Sequence, residues 1–571
     1  VRNHRRPYVR PAAALAAGAL VVGVLAGCSS KNKVPSIGFA VDAVPASYNG
    51  GTVLGANGGG AAIFSRVLTG FFYTGPDGQS IADTDYGTAK QVPGASQTIQ
   101  YRLNPDGVYS DGIPTSCDDL VLEWAARSGR FTKPGGQAPM FDAATSAGYS
   151  DIERVECQAG SKDATVIFRP EHHFVDWQTL FNAGDLMPAH IAAQAAGVPN
   201  VVAAVQTGDP AMMQKLADFW NTGWNLKPGG IDPKVLPSSG PYRIESYTAD
   251  DGLVLVKNDK WWGVPPRTPR IVVWPKGTDL KKKVSDKEVD VVDIGSGSVK
   301  DLSLDGFSVK QVPGRGAEQL VLSTVGVFTS PGARRAFALC VPRQALFDKL
   351  GHPGFDAKSG LGAGPLNSRT VQADSVYYPA IIGPAGKYAS GDAPGAQQAL
   401  SDAGASNPTV RIGYRAPDDR RAQTVAMIAG ACHAAGINVV DAGSPTFVPT
   451  QLGGGTVDAV LGGTAGAPGP AGSLANVGAR AALRTGQGLN FGHYGNGRYD
   501  AIAEQLAADG NSTDVLSSET EAENLLWSEM PTVPLFNTPR TIAFGDGMQS
   551  GIASPTKAGA GWNMDRWVLR R

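Results

Sequence analysis

The sequence predicts a mixed α/β protein of two or three lobes, on three observations. About 540 residues follow a short apolar leader, enough to bury more than one core. Short β-type runs fill the first part of the chain, and strand-like runs alternate with amphipathic helices in the middle. Strand-like runs then return near the end.

The leader comes first. Arg2, Arg5, Arg6 and Arg10 precede an uncharged run from Ala12 to Ala26. That run is about 15 residues, below the ~20 of a spanning helix. It ends in Leu25-Ala26-Gly27-Cys28, small residues followed by the Cys that a lipoprotein signal peptidase reads. Removal of residues 1–27 and acylation of Cys28 are expected, with residues 28–36 as a polar, lipidated tether. The mature chain should therefore sit in the cell envelope, on the outer face of the cytoplasmic membrane.

The body opens with β-type runs from Ile37 to Asp111. Thr98–Leu103 alternates with period two, and Asn104-Pro-Asp-Gly107 reads as a turn. Ser116 reads as a helix N-cap, with Asp118 and Asp119 in the first turn and Leu120, Val121 and Trp124 on an apolar face. Residues 208–225 carry Met212, Leu216, Phe219 and Trp220 at helical spacing. Strands follow at Tyr242–Tyr247, Leu253–Lys257 and Arg270–Trp274. A second block begins near Lys276 with Val289–Ile294 and Gln319–Ser323, both strand-like. Arg334–Leu350 and Gln423–Ala435 read as amphipathic helices, and the Gly/Ala/Pro stretch 452–472 as a long loop. Helices at Tyr499–Ala508 and Glu519–Glu529 lead to strands at Pro531–Phe536 and Thr541–Phe544.

Charge and motifs exclude several functions. Without residues 1–27 the net charge moves from −1 to about −5, which argues against a nucleic-acid or polybasic membrane-surface role. The chain has no Gly-Lys-Ser/Thr phosphate loop, no His-Glu-x-x-His, no Gly-x-Ser-x-Gly and no Cys-x-x-Cys. His172-His173 reads as a surface loop rather than a metal site, and Asp118-Asp119 as helix-dipole partners rather than catalytic acids. No enzyme, cofactor or metal is predicted. Cys117, Cys157, Cys340 and Cys432 remain once Cys28 is acylated. Four cysteines allow three pairings and the sequence does not choose among them; Cys117–Cys157 and Cys340–Cys432 are favoured because each falls within one half of the chain.

The landmarks in order resemble family 5 of the extracellular solute-binding proteins, which serve peptide ABC importers. They are Tyr48-Asn49, Leu68–Gly78, the run Tyr101–Val121, Gly240-Pro-Tyr-Arg-Ile244 with Lys257–Gly263, Arg335–Arg343 and Pro531–Phe536. Thr115–Leu122 and Gly559–Trp567 look like the mycobacterial dipeptide-permease binding lipoproteins. The resemblance implies a two-lobed α/β fold of the periplasmic-binding-protein type II kind, with a β-rich subdomain in lobe I and a ligand cleft between lobes. Lobe I is expected at 37–275, lobe II at 276–530, and a return to lobe I at 531–571. Short peptides would be captured and delivered to permease and ATPase subunits. Haem, a lipid or a glycolipid is the alternative ligand, and a regulatory envelope lipoprotein the alternative role.

The resemblance also implies site residues. Arg415 falls where the dipeptide-binding branch holds the ligand carboxylate. For the ligand ammonium, Thr464 stands where the family has Trp and Ala467 where it has Asp; either another acid such as Asp418 or Asp419 compensates, or the ligand is longer and held mainly by backbone, or it is not a peptide. Asn490 and Tyr494, in Asn490-Phe-Gly-His-Tyr494, are cleft candidates. Trp261, Trp262 and Trp562 read as core.

Overall fold

A computed structural model describes residues 35–355, 357–464, 480, 482–509 and 512–570. The leader, Cys28, nearly all of the tether, Ala467 and the side chain of Thr464 lie outside them.

The first strand, β1 (Ser36–Val41), is followed by a small hairpin, β2 (Phe72–Thr74) and β3 (Ser80–Ala82). Next come β4 (Gly87–Val92), β5 (Thr98–Leu103), β6 (Ile152–Glu156) and β7 (Asp163–Phe168), which form a separate sheet in the order β4-β5-β7-β6. In β5 the expected alternation holds, with Ile99, Tyr101 and Leu103 buried. They pack under this sheet with Leu120 and Trp124 of the helix Cys117–Arg127. Ser116 and Asp119 close a capping box at that helix's start, and Asp119 Oδ1 also accepts a hydrogen bond from Ala189 N at 2.8 Å. This is the β-rich subdomain. His172 lies on its exposed loop, 3.3 Å from Asp151.

A larger sheet contains the antiparallel run β8 (Tyr242–Thr248), β9 (Gly252–Lys257) and β10 (Arg270–Trp274) beside β1. It continues through β11 (Val291–Gly295), β12 (Phe307–Leu322), β13 (Thr409–Gly413), β14 (Asn438–Asp441), β15 (Ala459–Thr464) and β16 (Thr532–Gly545). The ten strands are ordered β14-β13-β15-β12-β16-β11-β1-β10-β9-β8. One core lies on β1 and β8–β10, with Trp220, Trp224 and, from the C-terminal segment, Met564 and Trp567. Another lies on β12, β13 and β15 with the helices Pro331–Cys340 and Asp419–His433.

β12 and β16 run through both lobes. Ile542 and Phe544 of β16 belong to the first core, Val533, Leu535 and Phe536 to the second. Their pairing shifts register between Pro313 and Ala317, where Pro313 faces Pro539. Neither proline has an N–H to give the ladder, so the two strands are least firmly tied where they pass between cores.

Several elements differ from the sequence reading. The strand expected at Val289–Ile294, at the start of the second block, forms over Val291–Gly295; it pairs with β1 and β16, and Val291 packs in the first core. An apolar run of that length looks alike in any central strand, so the sequence does not say which sheet takes it. The helix expected over Arg334–Leu350 ends at Cys340 and resumes at Arg343 after Pro342. The loop expected at 452–472 contains β15; its residues 465–472 lie outside the described residues.

Cys117 is bonded to Cys157 within the first lobe, and Cys340 to Cys432 within the second. Behind the cleft, Lys276 Nζ lies 2.6 Å from Asp42 at the end of β1 and 3.0 Å from Asp418, the N-cap of helix Asp419–His433. Arg421 Nε then meets Glu318 of β12 at 2.8 Å. Among the described residues no helix is long and apolar enough to cross a membrane.

Candidate functional site

Strand alternation sorts the side chains of the second lobe. Leu320 and Leu322 of β12 and Ala459 and Leu461 of β15 point into the core, and Gln319, Val321, Val460 and Gly462 point the other way. They wall one side of a cavity of about 350 Å³ between the lobes. Tyr48, Phe64, Tyr149 and Asp185 wall the side that belongs to the first lobe.

The lobes meet along its rim. Ser146 N donates to Gln487 Oε1 at 2.8 Å, Leu489 N to Ala144 O at 3.0 Å, and Val175 N to Ala507 O at 3.0 Å. Gly488 fits there because a Cβ would come within 2.2 Å of Ala143 O.

Most of the wall is apolar, and four charged residues line it: Arg127, Asp185, Arg369 and Lys557. Arg127 lies over the Tyr149 ring, with Nη1 2.8 Å from Glu123 and 3.4 Å from Asp185. Burial raises both carboxyls, and Arg127 opposes the rise. Arg369 is fully enclosed, 3.3 Å from Glu523, and its Nε donates to Thr532 Oγ1 at 3.0 Å. Lys557 is exposed at the cavity wall, and its ammonium donates to Ala56 O at 3.3 Å. Packing around that end pushes its pKa down to about 8, with Asp185 opposing. The Gln319 side chain is 4 % exposed with its residue and makes no hydrogen bond among the described residues. An amide so placed needs a partner from whatever fills the cavity.

The sequence candidates fall unevenly around this cavity. Asn490 and Tyr494 line it. The Asn490 amide is already committed, donating to Arg484 O at 2.9 Å and Tyr494 O at 2.7 Å while accepting from Tyr494 N, so it braces its own loop. The Tyr494 ring packs on Tyr499. Arg415 is not in the wall. It follows β13, one strand beyond the cavity-facing β15, and donates to Phe447 O at 3.2 Å. Asp418 is held by Lys276, and Asp419 Oδ2 accepts from Lys300 N at 2.8 Å, so neither supplies the missing acid in the cavity. Thr464 ends β15 with its backbone opposite Ala317; its side chain and Ala467 lie outside the described residues. Trp261, Trp262 and Trp562 stay out of the wall, where Trp562 stacks on Tyr73. Lys557, Arg127, Asp185 and Gln319 carried no local signal in the sequence.

Comparison with known proteins adds four likenesses. A family model described as "Bacterial extracellular solute-binding proteins, family 5 Middle" matches residues 89–479. An uncharacterized lipoprotein of Mycobacterium tuberculosis is 41% identical over 574 residues, covering 100% of both chains. An oligopeptide-binding protein of the same species is 23% identical over 518 residues, covering 87% of this chain and 79% of that one. Among solved structures, a periplasmic EDTA-binding protein superposes with a TM-score of 0.73 at 20% identity, covering 94% of this chain and 97% of that one.

Proposed function

The chain belongs to family 5 of the bacterial extracellular solute-binding proteins, and on that premise we propose that it captures short peptides and delivers them to an ABC importer. The observation that carries this reading is the cavity between the lobes, large enough for a few residues and walled on one side by the sheet of the second lobe. Backbone pairing and a few polar groups such as Gln319 suit a ligand whose side chains vary and whose amides do not. The oligopeptide-binding relative supports the same reading. Acylated Cys28 would hold the protein at the membrane, and the relative named a lipoprotein supports that placement. No chemistry of its own is assigned to it; the energy for transport would come from separate ATPase subunits.

Closure would follow from contacts to both lobes, with Pro313–Ala317 and Asn537–Pro539 as the hinge segments. The mainly apolar wall favours a second reading, in which haem, a lipid or a glycolipid takes the peptide's place. Thermal unfolding separates the two. Pools of peptides two to five residues long should raise Tm, since a ligand at a hundred times its Kd adds about 2.7 kcal/mol to stability. A rise with haem or lysolipid and none with any peptide pool would reverse the assignment.

A further inference from the structure

Of the four charged residues in the cavity wall, three are spent on one another or on their surroundings. Arg127 lies between Glu123 and Asp185, and Arg369 is enclosed with Glu523 and Thr532. Lys557 is different. Its ammonium carries three donors, and the one acceptor it reaches is Ala56 O at 3.3 Å. No described carboxylate comes within 4.0 Å of it; Asp185 is near enough to act on its charge, but no ion pair joins them.

The backbone that presents this lysine is held firmly. Arg540 Nη1 donates to Thr556 O at 2.6 Å, and Ala560 N donates to Asp293 Oδ2 at 2.7 Å. Gly559, with φ of 52°, packs so closely that a Cβ would come within 2.1 Å of Asp293 Oδ2. Arg540 and Asp293 are themselves paired across β16 and β11. A cation on so fixed a turn, facing a cavity with donors to spare, is built to meet an anion that arrives with the ligand.

We propose that Lys557 binds the C-terminal carboxylate of the captured peptide and so makes the protein prefer free-acid peptides to C-terminally amidated ones. The assignment rests on the peptide reading and names its carboxylate partner. It puts the charge contact on the first lobe, close to where β16 passes between cores. Packing pushes the free ammonium down to about 8, so the preference should hold at neutral pH and fade as the amine loses its proton above that value.

The test is calorimetric titration of the whole protein with a defined pool of tri- and tetrapeptides and the same pool amidated at the C-terminus. Wild type should bind the free-acid pool on the order of tenfold more tightly, the scale of one charge-assisted contact. Lys557→Met should lose that difference, and thermal unfolding like that of wild type shows that the variant is folded. Lys557→Arg should keep most of it. A preference that persists in Lys557→Met, equal binding of the two pools by wild type, or an equal loss for both pools in the variant would overturn the role of Lys557 and leave the peptide reading standing. Binding of neither pool by wild type would overturn both.

Discussion

Replacing Glu318 by Gln should cost about 3–5 kcal/mol of folding stability, the largest loss expected of any single substitution at the junction of the lobes. Glu318 is 0% exposed, and Arg421 Nε and Nη2 reach its two oxygens at 2.8 and 3.3 Å. Arg420 lies 3.6 Å away and is itself buried. A neutral amide keeps the shape but leaves two guanidinium groups in the interior facing less negative charge. Burial alone would raise the Glu318 carboxyl, but Arg421 and Arg420 outweigh it and hold the group at about 2, against 4.5 when unfolded. A depressed folded value means stability fully present above 4.5 and lost as pH falls toward 2. That drop corresponds to about 3 kcal/mol, in line with the cost of the substitution. Urea unfolding should therefore show a constant gap between wild type and Glu318→Gln above pH 4.5, and a gap that narrows in stronger acid. A gap independent of pH would mean that the carboxylate charge is not what holds the junction.

The second large effect lies in the second lobe. Removing the Cys340–Cys432 bond with paired alanines should cost about 4 kcal/mol, because its ends lie 92 residues apart and the bond restrains a long loop of the unfolded chain. The Cys117–Cys157 bond spans 40 residues and should be worth about 0.7 kcal/mol less on the same argument. The first bond also ties helix Asp419–His433, which carries Arg420 and Arg421, to helix Pro331–Cys340. Urea unfolding under non-reducing conditions reads both losses, and the denaturant slope should rise as the unfolded chain expands. Equal losses for the two bonds would show that loop length is not the controlling quantity.

Local signals were legible where one segment decides its own structure. Period two at Thr98–Leu103 and the Ser116 cap each appear in the fold as read. The helix near 208–225 forms over Pro210–Thr222, but Met213 rather than Met212 joins Leu216 and Trp220 in the core, a one-residue slip that adjacent methionines hide. Whatever depends on distant segments was not legible. β12 was visible only at Gln319–Ser323, because its first half, Phe307–Val312, mixes apolar and polar residues, is largely exposed and takes its strand geometry from pairing with β16. The cavity shows the same limit. Lys557 meets Ala56 across about 500 positions, and Arg127 reaches Asp185 through the tertiary fold. Arg415 stood at a suggestive position in its loop, yet the sheet order puts β15 between β13 and the strand that carries Gln319.

The most direct test of the account is native mass spectrometry of the protein as purified from cells, followed by denaturation to release what it carries. The account predicts a ladder of bound masses that resolve into short peptides of mixed sequence, lost when the unfolded protein is dialysed and regained when it is refolded in the presence of a peptide pool. A single haem, lipid or glycolipid adduct, or a cavity that no peptide pool can fill, would contradict it.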